Sequence, residues 1–185
     1  MKFPGKHYVF EKQLGKGVQA AVWLFKMEDQ RYAGKITSTE WIYEPRKGDP
    51  EYWKKRMLSL SRELVFLQMI DSPNVIKQIE MIKTRSNYYS ILEFANGGSL
   101  QDFLNLHGRF TEKFAISALS QILCGLQALY DKNVMHRDLK LDNILIHFPE
   151  RDQPTKAELK AMNLDGDEPF CVKIADLGYA RELTT

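Results

Sequence analysis

The chain has 185 residues, enough for one compact domain or two small lobes around a cleft. Apolar residues make up 44% and charged residues 27%, and 26 Lys plus Arg nearly cancel 24 Asp plus Glu, so nothing marks a nucleic-acid or acidic-membrane partner. Two cysteines without CxxC spacing argue against a disulfide scaffold or metal finger.

A soluble protein of a reducing, cytoplasmic compartment is therefore expected. The N-terminal MKFPGKHYVFEKQLGKG has no apolar core of signal-peptide length. No apolar run approaches the roughly 18 residues a membrane span requires.

The first third reads as strands. HYVFEKQL alternates apolar and polar residues, AAVWLF follows a glycine-bearing turn, and RYAGKI supplies a third run. From about Glu51 the period changes: Met57, Leu60, Leu64 and Leu67 recur at helical spacing until Asp71-Ser72-Pro73. Two further strands are expected in VIKQIEMIK and YYSILEFA, separated by Ser86-Asn87.

Asn96-Gly97-Gly98 breaks that pattern. Ser99 with Asp102 fits a capping box that opens a short helix, with Gly108 to close it. Thr111 suits the N-cap of a longer helix whose apolar face would be Ala115, Leu119, Ile122, Leu123, Leu126 and Leu129. NILIHF and CVKIA are two last strands. The hydrophilic stretch between them, at about 149–169, is expected to be an exposed inserted loop, since so long a connection is unusual inside a compact domain. Its LDGDEPF turn lacks the spaced ligands and closing glutamate of a calcium-binding EF-hand. A mainly β half thus runs to about residue 95, with a mainly α half after it.

Several groups carry chemistry. Gly15-Lys16-Gly17 lies between two strands, where glycines let backbone N–H groups approach phosphate oxygens, although a plain hairpin turn reads the same way. A dinucleotide fingerprint is disfavoured because a strand follows the turn. Lys35 lies in the apolar context of YAGKI: either a solvent-facing strand lysine or a cation aimed at phosphate and held by a carboxylate, for which Glu63 is the candidate.

VMHRDLKLDNILI at 134–146 is more specific. Asp138 can accept a hydroxyl proton, Lys140 can neutralise a transferring phosphoryl group, and Asn143 offers an amide oxygen suited to magnesium. Asp176, in IADLG, adds a carboxylate at the end of an apolar strand. A metal hydrolase built on His136 and Asp138 is the alternative, but no second histidine motif accompanies it.

In this order the motifs resemble a eukaryotic protein kinase catalytic domain over nearly the whole chain. GKGVQAAV resembles the glycine-rich loop, AGK the third-strand lysine motif, SPN at 72–74 the usual HPN, HRDLKLDN the catalytic loop, and Asp176-Leu177-Gly178 the DFG motif with Leu for Phe. The resemblance implies an α+β, bilobal fold: a β-rich N-lobe with one helix (1–95), then the first part of a mainly helical C-lobe (96–185).

The resemblance also assigns roles. Asp138, Lys140 and Asn143 would be catalytic, with Asn143 and Asp176 holding Mg²⁺. ATP would meet Leu14, Gly15, Lys16, Gly17, Val22, Ala33, Lys35, Glu63, the gatekeeper Leu92, the hinge residues Glu93 and Ala95, and Leu145. Lysine two residues after the base, as Lys140 stands, is characteristic of serine/threonine members. The implied reaction is transfer of the ATP γ-phosphoryl group to a protein hydroxyl.

Three departures from the family pattern matter. Ala20 replaces the third loop glycine and Leu177 the DFG phenylalanine. The chain also stops at Thr185, nine residues after Asp176, which reads as a truncated domain without its peptide-binding floor. Leu119, Ile122 and Leu126 would then face water at a cost of roughly 1.5–3 kcal/mol per large side chain, favouring aggregation or a stabilising partner. The rival reading is a nucleotide-binding or scaffolding module without turnover.

Overall fold

The structure is a computed structural model and describes residues 2–3, 6–17, 20–43 and 49–183. Val18 and Gln19 of the glycine-bearing turn lie outside the described residues. The chain forms two compact units: Met1–Val65 with Gln78–Phe94, and Phe66–Lys77 with Ala95–Thr185.

In the first unit, β1 (Lys2–Phe3) pairs antiparallel with β2 (Lys6–His7). Strands β3 (Val9–Lys16), β4 (Ala21–Met27), β5 (Gln30–Ser38), β6 (Gln78–Lys83) and β7 (Asn87–Glu93) form one antiparallel sheet in the order β3-β4-β5-β7-β6. Directly opposed residues share a face, and faces alternate along each strand. Phe25, Tyr32, Tyr89 and Ile91 therefore fall on one face, where with Tyr8 they form a buried cluster. Gly34 shares that face because a Cβ there would lie 1.9 Å from the Phe25 ring. The other face carries Val22, Ala33, Lys35, Ser90 and Leu92.

Two helices follow β5. The short α1 (Thr39–Ile42), which the periodicity does not signal, starts because the Ser38 hydroxyl accepts from Trp41 N. The long α2 (Pro50–Met69) covers the run expected from Glu51. Near its start the Arg56 guanidinium lies 4.0 Å from the Trp41 ring centroid and 4.2 Å from that of Tyr52, a double cation–π stack.

The second unit holds α3 (Leu100–His107), α4 (Glu112–Tyr130), β8 (Val134–Met135), β9 (Ile144–His147), α5 (Lys156–Lys160), β10 (Cys171–Ile174) and β11 (Arg181–Glu182). The expected caps form: Ser99 and Asp102 complete a capping box, Gly108 closes α3 at φ 75°, and Thr111 caps α4. β9 and β10 pair antiparallel, as do β8 and β11. Residues 66–77 pack with this unit. Ile76 N donates to Ile174 O and Ile174 N to Asn74 O, both at 2.8 Å, so the VIK before β6 is not sheet.

Two expectations are corrected. The buried face of α4 is Phe114, Ala118, Gly125 and Leu129; Leu119 and Leu123 are 56% and 57% exposed, whereas Ala115, Ile122 and Leu126 are half-buried. The helix is apolar on more than one side, and Gly125 sets its rotation. A Cβ at Gly125 would lie 2.6 Å from Asn74 O, so the chain crosses the helix where side-chain bulk is least.

The 149–169 segment is no bare loop either. It contains α5, opened by a Thr155–Glu158 capping box, with Leu159 buried. The Asn96 amide nitrogen donates to the carbonyls of Phe148, Arg151 and Asp152, and Arg151 pairs with Glu168.

Candidate functional site

In the first unit Val22, Ala33, Lys35 and Leu92 share one sheet face, and Leu14 to Gly17 lie at the turn after β3. The turn after β3 closes as a hairpin, with Gly17 N donating to Ala20 O at 2.9 Å. Gly15 opposes Val22 next to a register shift, so the strand is already irregular where the turn begins. Leu14, Gly15, Lys16 and Gly17 are exposed, and Val22 and Ala33 are half-buried. Leu92 opposes Ala33 on the Lys35 face, whereas its neighbour Glu93 opposes Tyr32 on the other face, at the end of β7.

Lys35 and Glu63 come together. Lys35 opposes Val22 on one side and Ser90 on the other, so its ammonium rises from the face that α2 covers. Nζ donates to Glu63 Oε1 at 2.7 Å, and Glu63 is 5% exposed. Such a charge-assisted bond fixes a long lysine in one place, and a nearly buried carboxylate without its cation would be costly. The solvent-facing alternatives for both residues are thereby removed.

The second unit builds a polar loop between β8 and β9. Arg137 holds φ 69°, left-handed backbone uncommon outside glycine, and this turns the chain so that Asp138 and His136 meet. Asp138 N donates to His136 Nδ1 at 3.2 Å, leaving His136 Nε2–H to donate to Ala175 O at 3.0 Å. Asp138 Oδ2 accepts from Lys140 Nζ at 2.8 Å and from Asn143 Nδ2 at 2.9 Å. The Lys140 ammonium, helped by the Asn143 amide, holds the Asp138 carboxyl below the usual range, against burial and the nearby Asp176 charge. The same bond holds the Lys140 ammonium above its ordinary pKa.

Asp176 belongs to the same unit. Ala175 N donates to Asn143 O at 2.8 Å, which ties the end of β10 to the polar loop. Asp176 sits at φ 62° with its carboxylate exposed and accepting from Gly178 N at 3.4 Å. Leu177 is fully buried, so the position packs without an aromatic ring. Leu145 is half-buried in β9, and buried Ala95 precedes a loop whose Gly97 N donates to Ile146 O.

The predicted residues thus form two sets. Lys35 and Glu63 are joined in the first unit, and Asp138, Lys140, Asn143 and Asp176 are assembled in the second. Sequence reasoning gave His136 no part in holding this site, yet it anchors both Asp138 and the Ala175 carbonyl. Its adjacency to Asp138 was the available signal, since the two ring nitrogens of a buried imidazole can bridge two backbone groups.

The sequence profile of the protein kinase domain matches residues 8–185. The chain is 34% identical over 176 residues to "Serine/threonine-protein kinase ATG1c" of Arabidopsis thaliana, covering 95% of this chain and 21% of that protein. It is 31% identical over 177 residues to "Serine/threonine-protein kinase ATG1b" of the same plant, covering 95% and 21%. Against "Serine/threonine-protein kinase ATG1a" it is 31% identical over 183 residues, covering 96% and 24%. The chain therefore spans about a fifth to a quarter of the length of these relatives. From the aromatic-backed sheet to the Asp138 loop, the chain belongs to the protein kinase domain family.

Proposed function

We propose that this chain is a serine/threonine protein kinase domain that transfers the γ-phosphoryl group of ATP to a serine or threonine hydroxyl of a protein. The observation that carries the reading is the Asp138 carboxylate, whose Oδ2 is held by Lys140 and Asn143. Among the described residues no group hydrogen-bonds to Oδ1, which makes that atom the acceptor for the substrate proton. As the hydroxyl oxygen bonds to the γ-phosphorus and the bond to the β-phosphate bridging oxygen breaks, the proton passes to Asp138 and ADP leaves.

Each remaining residue has a task consistent with its surroundings. Lys35, steadied by Glu63, suits the ATP phosphates, and Lys140 suits the charge spread over the transferring group. Gly15 to Gly17 bring backbone N–H groups to the phosphates. Val22, Ala33, Leu92 and Leu145 suit the adenine ring, with Glu93 and Ala95 offering backbone groups.

Asp176 and Asn143 fit Mg²⁺ by donor chemistry. Both Asn143 Nδ2 bonds go to Asp138, so its Oδ1 remains an acceptor, and Asp176, next to the Ala175–Asn143 backbone bond, adds an exposed carboxylate; oxygen donors are the kind magnesium shares with phosphate. When bound, the ion would neutralise phosphate charge. A reducing intracellular compartment fits Cys124 and Cys171, which form no disulfide. Among the described residues no helix is long and apolar enough to cross a membrane.

The test incubates the purified protein with γ-labelled ATP, magnesium and a serine/threonine-rich acceptor protein. Label on serine or threonine supports the proposal. Nucleotide binding without any transfer favours the scaffolding reading.

A further inference from the structure

Ser90 stands in the middle of β7, opposed by Lys35 of β5 and Met81 of β6. Its side chain therefore shares the face of Lys35, and of Thr37 two residues along the same strand. The residue is 5% exposed, and its hydroxyl oxygen is shielded and finds no hydrogen-bond partner among the described residues. Buried hydroxyls are nearly always satisfied, by protein or by ordered water, so an orphan at the centre of a strand calls for a reason.

The reason lies next to it. A cavity of about 10 Å³, the space of one water, is lined by Ser90, Lys35, Thr37 and Glu63 and by apolar side chains of α2, β6 and β7. Glu63 Oε1 takes the Lys35 ammonium at 2.7 Å, and a carboxylate has acceptor sites beyond the one used there. A strand this deep would ordinarily carry an apolar β-branched residue. A hydroxyl beside an ion pair and a water-sized space is the arrangement that holds a bridging water.

We propose that Ser90 is a positioning residue for the Lys35–Glu63 pair, acting through a single water in this cavity. The Ser90 O–H donates to the water and the water donates to the Glu63 carboxylate, with Thr37 as its further neighbour. The carboxylate is then held in one orientation, and the lysine ammonium is fixed before any phosphate arrives. The inference rests on the reading of Lys35 as the phosphate-binding lysine.

The experiment compares wild type with Ser90→Ala and Ser90→Thr in three measurements: KM for ATP against kcat, thermal midpoint, and the rate at which an amine-reactive ester acylates Lys35 without nucleotide. In Ser90→Ala, KM for ATP rises about three- to tenfold, the scale of one lost hydrogen bond near a charge, while kcat changes less. Lys35 is acylated faster, and Ser90→Thr, which keeps the hydroxyl, restores both values. A merely structural orphan behaves oppositely: Ser90→Ala raises the thermal midpoint and leaves KM and Lys35 acylation unchanged, and that result overturns the proposal. Should wild type bind no nucleotide, the acylation rate still decides the role of Ser90, whereas the phosphate-binding reading of Lys35 fails separately.

Discussion

Lys140 Nζ sits 2.8 Å from Asp138 Oδ2, two residues back along the chain, so the cation that suits phosphate also biases the acid that suits the hydroxyl proton. Both groups are partly solvated, and their effect on each other is clearest as a direction: the carboxyl is lowered and the ammonium raised.

A pH prediction follows from that direction. Only ionised Asp138 accepts a proton, and its carboxyl titrates below the ordinary aspartate range, so the acid limb of kcat/KM lies below that range too. Lys140→Met removes the largest cause of the lowering. The acid limb then moves upward, in addition to any loss of rate. Profiles of kcat/KM against pH for the two proteins check both the sign and the assignment.

Glu63→Gln keeps the shape of the helix residue but removes the charge that holds Lys35. The loss of a nearly buried charge-assisted bond predicts kcat/KM for ATP about ten- to a hundredfold lower, expressed mainly in KM. Steady-state kinetics at varied ATP measures it, with circular dichroism to show that the fold is retained.

Gly125→Ala tests the seat of α4. The added methyl meets the Asn74 carbonyl, a backbone atom with little room to yield, at 2.6 Å. Overpacking of this kind destabilises by about 1–3 kcal/mol, and thermal or urea unfolding should report it. A change below a few tenths of a kcal/mol would mean that α4 does not lie so close to residue 74.

What was legible in the sequence was mostly local. The Ser99–Asp102 and Thr111 caps span three residues, and their hydrogen bonds form as the spacing implies. The Asp138–Asn143 contact spans five, and the polar loop could be read as a unit. Lys35 and Glu63 are 28 positions apart, so the residues alone offered Glu63 only as a candidate partner and the family resemblance singled it out, because no spacing rule joins a strand to a later helix.

The rest was hidden for physical reasons. The face of α4 was misread because leucines ring the helix and a glycine, invisible to hydrophobic periodicity, chooses the buried side. Docking of the 149–169 segment was missed because it runs through backbone carbonyls: Leu159 O meets His107 Nε2 at 3.0 Å, and Leu164 O accepts from Thr111 Oγ1 at 3.3 Å. A serine in a strand reads as solvent-facing, so Ser90 carried no signal.

Thr155→Ala tests that docking. Loss of the cap should cost α5 about 1 kcal/mol. Amide exchange should accelerate over residues 155–162 while β9 and β10 keep their protection. Exchange already at the free-coil rate in the wild type would contradict an ordered segment.

The most direct test of the central claim is the single-turnover rate of phosphoryl transfer by Asp138→Asn beside its affinity for Mg–ATP. The proposed role requires transfer to fall about 10²–10⁴-fold, the usual contribution of a general base, while nucleotide affinity stays within about twofold of wild type. Transfer at the wild-type rate by Asp138→Asn would contradict it.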